Sequence, residues 1–358
     1  MTALRVALVG AGRWARAAHV PAWRQVQGAR LVAVADPDPG RREAVAAELG
    51  IHPYPSLAAV LEDEGIDVVD VASATGSHFA LAKAAIEAGC HVLCEKPVAL
   101  AAAQAERLRD LVGARGVVGA VAFAFRHAQA VARLRERLPA LGRVYHVQGF
   151  EQNSLYHDPA KPRPPARLRA DQDVGALGEY GSHLVDLTRW LIGDLVEVAG
   201  DARTFIPERA VEGGGYAPSD VDDSTAFLAR FAGGAQGLFQ ASWLAAGRPP
   251  GIELRIFGEG GALRLVLAEG EEGGESLLAA DVDEGLYRPV DPGQPAEDWP
   301  RLYMSRLVAS FVRRLGGRAD PALADFADAA ASQRVLDAVM RSSKSGRWER
   351  VDEPAGGG

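Results

Sequence analysis

The chain has 358 residues, 48% hydrophobic and 24% charged, a length that at roughly 150 residues per domain predicts two domains with a core each and excludes a disordered chain. Its net charge is −8, from 47 acidic against 39 basic residues, and without a basic block this argues against nucleic acid as a partner. Two cysteines cannot build a disulfide framework, no apolar run approaches the ~18 residues that span a bilayer, and no basic leader precedes Leu4, so a cytoplasmic protein without membrane contact is expected.

The first third alternates short apolar runs with helical patterns. Val6–Val9 reads as a buried strand and Arg13–Val26 as a helix; Leu31–Ala35 is a second strand, followed by a helix from about Arg41 to Leu49. Further helices are predicted at Leu57–Glu64, His78–Ala88 and Ala99–Val112, with strands at Val68–Ala72, His91–Cys94 and Val117–Phe123. Strict alternation implies parallel pairing through right-handed crossovers, with helices on both faces.

After about Phe125 the texture changes, which places a domain boundary between residues 124 and 125. A helix at His127–Leu138 leads to a half-exposed strand at Arg143–Gln152. The Pro- and Arg-rich stretch Asp158–Ala170 reads as a loop, and Leu177–Ile192 as a helix ended by Gly193. Strand-like runs follow at Val196–Ile206, Ser224–Phe231, Gln236–Trp243, Ile252–Phe257 and Ala262–Leu267, joined by short glycine turns that imply an antiparallel sheet. Glu212–Gly215 and Glu269–Glu275 read as exposed loops. Helices at Leu302–Leu315 and Leu323–Arg341 precede a frayed tail, Pro354–Gly358.

Two stretches carry chemistry. The first strand runs into Gly10-Ala11-Gly12-Arg13-Trp14-Ala15, a G-x-G-x-x-A turn opening a helix. Its glycines permit a tight turn and close approach of a pyrophosphate to the helix N-terminus. G-x-G alone is a weak signal among 40 glycines. Its place at the first strand-to-helix turn, with Asp36 about 20 residues on to take ribose hydroxyls, makes it strong. Asp36 favours NAD, since a carboxylate repels a 2′-phosphate; Arg41 and Arg42 keep NADP open.

Glu95-Lys96-Pro97 ends the strand His91–Cys94, on the side where open parallel sheets bind ligands. Lysine is scarce, 4 against 35 arginines, so Lys96 stands out as a donor to a substrate oxygen; the alternative is a solvated lysine. In the second domain Glu179, His183 and Asp186 fall at i, i+4 and i+7 on one helical face. An acid one turn before a histidine can orient its ring and stabilise its charged form, as a general base requires; a histidine satisfied inside a helix–sheet interface is the alternative. Cys90, His91 and Cys94 imitate metal ligands, but strand geometry turns His91 to the other face, so a core role and no metal are expected. His19 and Pro21 are expected to pack and shape a cleft, and Tyr156, His157 and Arg163 to lie in a loop over the substrate.

In these residues the chain resembles the glucose–fructose oxidoreductase, inositol dehydrogenase and MocA-type family. The marks are Gly10-Ala11-Gly12, Glu95-Lys96-Pro97, Arg126 after the strand Val117–Phe123, Gly181-Ser182-His183 with Asp186, and the closing Ser342–Trp348 segment. The resemblance implies an N-terminal Rossmann domain over 1–124, and a C-terminal α+β domain over 125–358 on a mostly antiparallel open sheet that often forms a homodimer or homotetramer. It implies a nicotinamide-dependent oxidoreductase of a secondary alcohol or ketone on a sugar, inositol or related polyol. Lys96 and His183 would act on the hydroxyl, with Glu179 behind His183. Ala74, Thr75, His78, Glu95, Lys96 and Pro97 would line the cofactor beside Gly10, Gly12, Arg13, Trp14, Ala15 and Asp36. Arg126 and Tyr156 would join Lys96 and His183 on the substrate, and a cis bond would precede Pro97. Two departures stand out: Glu179 replaces the usual aspartate, and Thr75-Gly76-Ser77 replaces Thr-Pro-Asn, which would loosen that turn. A non-catalytic nucleotide sensor and a glycosidase using NAD transiently remain alternatives.

Overall fold

The computed structural model describes residues 3–248, 250–268, 274–290 and 298–352. The chain divides into two compact units. The first comprises residues 1–127 and 300–330, the second 128–299 and 331–358. The return of 300–330 to the first unit is the main departure from the division expected at 124/125. Apolar periodicity marks a helix but not the core it joins.

In the first unit, β1 (Leu4–Val9), β2 (Ala29–Ala35), β3 (His52–Tyr54), β4 (Val68–Val71), β5 (His91–Cys94) and β6 (Gly119–Val121) form one parallel sheet in the order β3-β2-β1-β4-β5-β6. The chain winds outward on one side of β1, then restarts at β4 and winds the other way. The crevice at that reversal lies beyond the carboxyl ends of β1 and β4, the side where such sheets hold ligands. Val68, Val69 and Val71 are buried, as a strand covered on both faces requires. Asp70 breaks the run and is equally buried.

Local signals explain most boundaries. The helix Pro39–Leu49 starts two residues before the expected Arg41 because Asp38 caps it, accepting the Arg41 amide at 3.0 Å, with Pro39 in the first turn. Gly50, at φ 64°, ends it. Asp38→Ala is expected to lower stability by about 1 kcal/mol in urea unfolding, with the m-value unchanged. The expected Arg13–Val26 helix divides into a wide π turn at Ala15–His19 and an α-helix at Val20–Gln25. The expected helix at Leu177–Ile192 divides likewise into a π turn at Leu177–Gly181 and an α-helix at Ser182–Ile192. Helical periodicity does not reveal an i→i+5 turn.

The second unit is built on β7 (Val144–Gln152), β8 (Leu195–Arg203), β9 (Glu208–Ala210), β10 (Tyr216–Pro218), β11 (Ser224–Phe231), β12 (Gln236–Ser242), β13 (Gly251–Gly258), β14 (Gly261–Ala268), β15 (Gly274–Ala280), β16 (Arg288–Pro289) and β17 (Glu349–Arg350). β9 and β10 pair alone. The rest order as β16-β15-β14-β13-β7-β12-β11-β8-β17. Pairing is antiparallel except between β7 and β12, which are not consecutive in sequence. Alternation works as expected on β11 and β12. Phe227 and Phe239 stack on the inner face at 4.8 Å, while their neighbours Leu228 and Leu238 pair on the outer face, 47% and 43% exposed.

Glu275 corrects the reading of an exposed acidic loop. It lies on β15, is buried, and accepts the Ala130 amide at 2.7 Å at the start of the helix Gln129–Arg137. Acidic composition suggested solvent, but an unsatisfied helix N-terminus is equally good company for a carboxylate. Residues 269–273 and the tail Pro354–Gly358 lie outside the described residues. Among the described residues, no helix is long and apolar enough to cross a membrane.

Candidate active site

The turn after β1 shows what each glycine is for. Gly10 has φ 104°, and a Cβ there would meet the Ala72 carbonyl oxygen at 2.5 Å, so any side chain collides with the backbone after β4. Gly12 is different: a Cβ there would meet nothing within 4 Å. The fold itself does not need that glycine. It leaves a backbone cradle where a close-lying ligand has room, as a pyrophosphate requires.

Asp36 is buried at the end of β2 and accepts the Ala11 amide at 2.8 Å and the Asp38 amide at 2.9 Å. It thus ties the glycine turn to its own loop. The two arginines that left NADP open are occupied locally. Arg42 donates to the Asp36 and Pro37 carbonyls at 3.2 Å, and Arg41 lies 3.6 Å from the Asp38 carboxylate.

Behind this crevice is a buried charged network that sequence reading reduced to packing. His19, on the π turn after the glycines, faces Asp70 Oδ2 at 2.8 Å through Nδ1 and Glu95 Oε1 at 2.9 Å through Nε2. Both partners are acceptors, so both ring nitrogens donate and the ring is an imidazolium. Burial pulls its pKa down, but the two carboxylates outweigh it and raise it to about 10. Burial likewise pushes Glu95 up, and His19, Lys96 and Trp14 outweigh it and hold Glu95 below the usual range. Trp23 donates to Asp70 at 2.6 Å and Trp14 to Glu95 at 2.8 Å. The other oxygen of Glu95 accepts the Lys96 amide at 3.1 Å. The signal available in sequence was Asp70 itself, a carboxylate inside a strand buried on both faces, which must find a donor.

Lys96–Pro97 is a cis peptide bond. His78 is buried with Nδ1 2.8 Å from the Pro97 carbonyl and Nε2 3.1 Å from that of Ser73. Burial outweighs both carbonyls and keeps His78 below the usual imidazole range, so the neutral ring donates through the nearer nitrogen, Nδ1. The departure at Thr75-Gly76-Ser77 does not leave that turn slack: Ser77 bonds the Ser73 hydroxyl and the Ala74 carbonyl, each at 2.7 Å. Arg13 is exposed and Ala15 buried. Arg126 is buried with its guanidinium 3.1 Å from Asp328, an ion pair within the first unit. Cys90 and Cys94 are buried, unbridged thiols of the core, and His91 accepts the Val118 amide at 3.0 Å.

In the second unit, Asp222 accepts the Leu177 amide at 2.9 Å and so anchors the π turn that carries Glu179. Glu179 lies on that π turn, and His183 on the α-helix Ser182–Ile192 that continues it. Arg167 lies 3.8 Å from Glu179 and 3.7 Å from the buried Asp173. Tyr156 is half-buried with its ring 5.4 Å from that of Trp243, nearly perpendicular, and His157 is exposed.

A glycine turn at the reversal point of a parallel sheet, backed by an acid at the end of the next strand, makes the first unit a dinucleotide-binding domain. Comparison with known proteins agrees. Residues 4–137 match an oxidoreductase family with an NAD-binding Rossmann fold, and residues 127–264 match the GFO/IDH/MocA C-terminal domain. A myo-inositol dehydrogenase of Streptomyces leeuwenhoekii is 31% identical over 353 residues, 96% of this chain and 98% of that one. An oxidoreductase domain protein from Kribbella flavida has the same fold at TM-score 0.87 and 32% identity, over 99% of this chain and 100% of that one. A levoglucosan dehydrogenase solved with NADH and levoglucosan gives 0.86 and 27%, over 98% and 100%. The chain belongs to the Gfo/Idh/MocA family of NAD-dependent oxidoreductases.

Proposed function

We propose that the protein is a dehydrogenase of a secondary alcohol on a neutral sugar, cyclitol or related polyol, using NAD. The observation that supports NAD is the Asp36 carboxylate, which accepts the Ala11 amide of the glycine turn and the Asp38 amide, while Arg42 donates to the Asp36 and Pro37 carbonyls and Arg41 lies beside Asp38. The relatives that act on inositol and levoglucosan support the substrate class.

When bound, the nicotinamide accepts or returns the hydride. Lys96 donates to the substrate oxygen and stabilises the negative charge that develops there. His183 takes the hydroxyl proton, and Glu179 acts through it by orienting the ring and balancing its charge. Gly10, Gly12, Arg13, Trp14, Ala15, Ala74, Thr75, His78 and Pro97 form the backbone and walls of the nucleotide site, and Arg126 and Tyr156 complete the substrate side. A second copy of the chain covers the outer sheet face that carries Leu228 and Leu238, giving a homodimer or homotetramer.

The test is a panel of sugars and polyols with NAD and with NADP, read at the absorbance of the reduced nicotinamide. Expected is net reduction of NAD by at least one neutral polyol, with NADP at least tenfold poorer in kcat/KM. Nucleotide binding without turnover would leave the sensor alternative. Turnover of a glycoside without net NAD reduction would leave the glycosidase. Light scattering that returned a monomer would sink the oligomer.

A further inference from the structure

Arg163 is fully buried, yet among the described residues its Nε, Nη1 and Nη2 have no hydrogen-bond partner. Its Cζ lies 4.2 Å over the Tyr156 ring and 4.5 Å over the Trp243 ring. Two aromatic rings attract the charge but accept no planar hydrogen bond in place of water. A guanidinium carries five N–H donors and stays charged at any working pH, so a buried one without acceptors is a poor structural element and a good ligand contact.

The surroundings form a built site. The Arg163 amide donates to the Ala210 carbonyl, and its own carbonyl accepts the Glu212 amide, each at 3.0 Å. Buried Arg209 donates to the Tyr156 carbonyl at 2.7 Å and to Asp223 at 2.6 Å, and the Trp243 indole donates to the same Asp223 oxygen at 2.9 Å. The backbone of Arg163 and the supports of both rings are therefore held, while the donors of the guanidinium are left over.

Charge selects the occupant. The acids nearest by electrostatics are Glu179 and Asp173, and both are already beside Arg167. Two cations and two carboxylates balance. An anionic ligand would add an uncompensated charge to a buried place, whereas neutral hydroxyl oxygens fill the N–H groups and add none. We propose that Arg163 recognises two adjacent hydroxyl oxygens of the substrate and so sets its specificity, with the half-buried Tyr156 ring swinging to admit them. This rests on the reading of a neutral sugar or polyol as substrate.

The test compares wild type, Arg163→Gln and Arg163→Lys on the best substrate of the panel and on its deoxy analogues, each lacking one hydroxyl. Wild type is expected to lose about a hundredfold in kcat/KM on one pair of analogues. Arg163→Gln is expected to lose as much on the parent substrate, through KM, and to stop distinguishing parent from analogue, with the KM for NAD within about twofold. Arg163→Lys keeps a charge without the fork; it carries the readout if Arg163→Gln does not fold, and is expected to lose the discrimination too. Discrimination that survives in the folded variants overturns the proposal, as does a lower melting temperature with unchanged KM. A wild-type preference for a sugar acid, lost in Arg163→Gln, overturns it in favour of an anion site. A wild type that oxidises no neutral sugar or polyol sinks the dehydrogenase reading as well; turnover with no dependence on Arg163 sinks the present inference alone.

Discussion

Lys96→Ala is expected to cut kcat roughly a thousandfold on the substrate found by the panel while the affinity for NAD changes only a few-fold. Lys96 follows β5, on the ligand side of the sheet, and its amide is tied to Glu95. The main chain that shapes the nucleotide crevice therefore stays in place when the ammonium is removed: Glu95 holds the amide, and His78 holds the Pro97 carbonyl. What is lost is a donor to an oxygen that gains charge only as the hydride leaves, so the loss falls on kcat and kcat/KM together. Stopped-flow turnover beside NADH binding by fluorescence separates the two quantities. A variant that turns over at the wild-type rate removes Lys96 from the chemistry.

His19→Leu is expected to destabilise the protein by about 3–5 kcal/mol, because removing one partner leaves two buried carboxylates, Asp70 and Glu95, without their shared cation. The same network gives wild type a pH signature. Burial lowers the His19 pKa, the carboxylates raise it further, and the folded value of about 10 stands above the ordinary 6.5. The stabilisation is therefore complete below about pH 6.5 and fades as pH rises through about 10. Glu95, held below its ordinary range, is the same interaction seen from its partner, and the two are not added. Urea unfolding between pH 6 and 10 is expected to show wild type losing stability steadily while His19→Leu stays flatter. Parallel curves would show that the ring is not charged.

Much of this was legible from residue order. The parallel sheet follows from apolar runs in alternation with helices, and the strand Ser224–Phe231 has its expected bounds, with Phe227, Ala229 and Phe231 alternating toward the core. Asp36 and the glycines announced themselves by spacing. The buried network did not, because His19 meets partners 51 and 76 residues away and no local periodicity carries such a pairing. The π turns at Ala15–His19 and Leu177–Gly181 escaped for a related reason: their side chains are ordinary helix formers, and the extra residue shows only in the hydrogen bonds. Glu275 escaped because composition cannot say that a distant helix start needs an acceptor.

The homecoming of residues 300–330 bears on how the chain is made. Val121 donates to the Ala324 carbonyl at 2.9 Å, and Phe326, Ala329 and Ala330 share a core with β5 and β6. On the ribosome, the nucleotide-holding half must wait with one flank bare until residues 300–330 have emerged, a long interval for an unguarded strand edge. Anyone who transplants that half into a chimaera at His127 would strip it of its seal, and should graft 300–330 along with it.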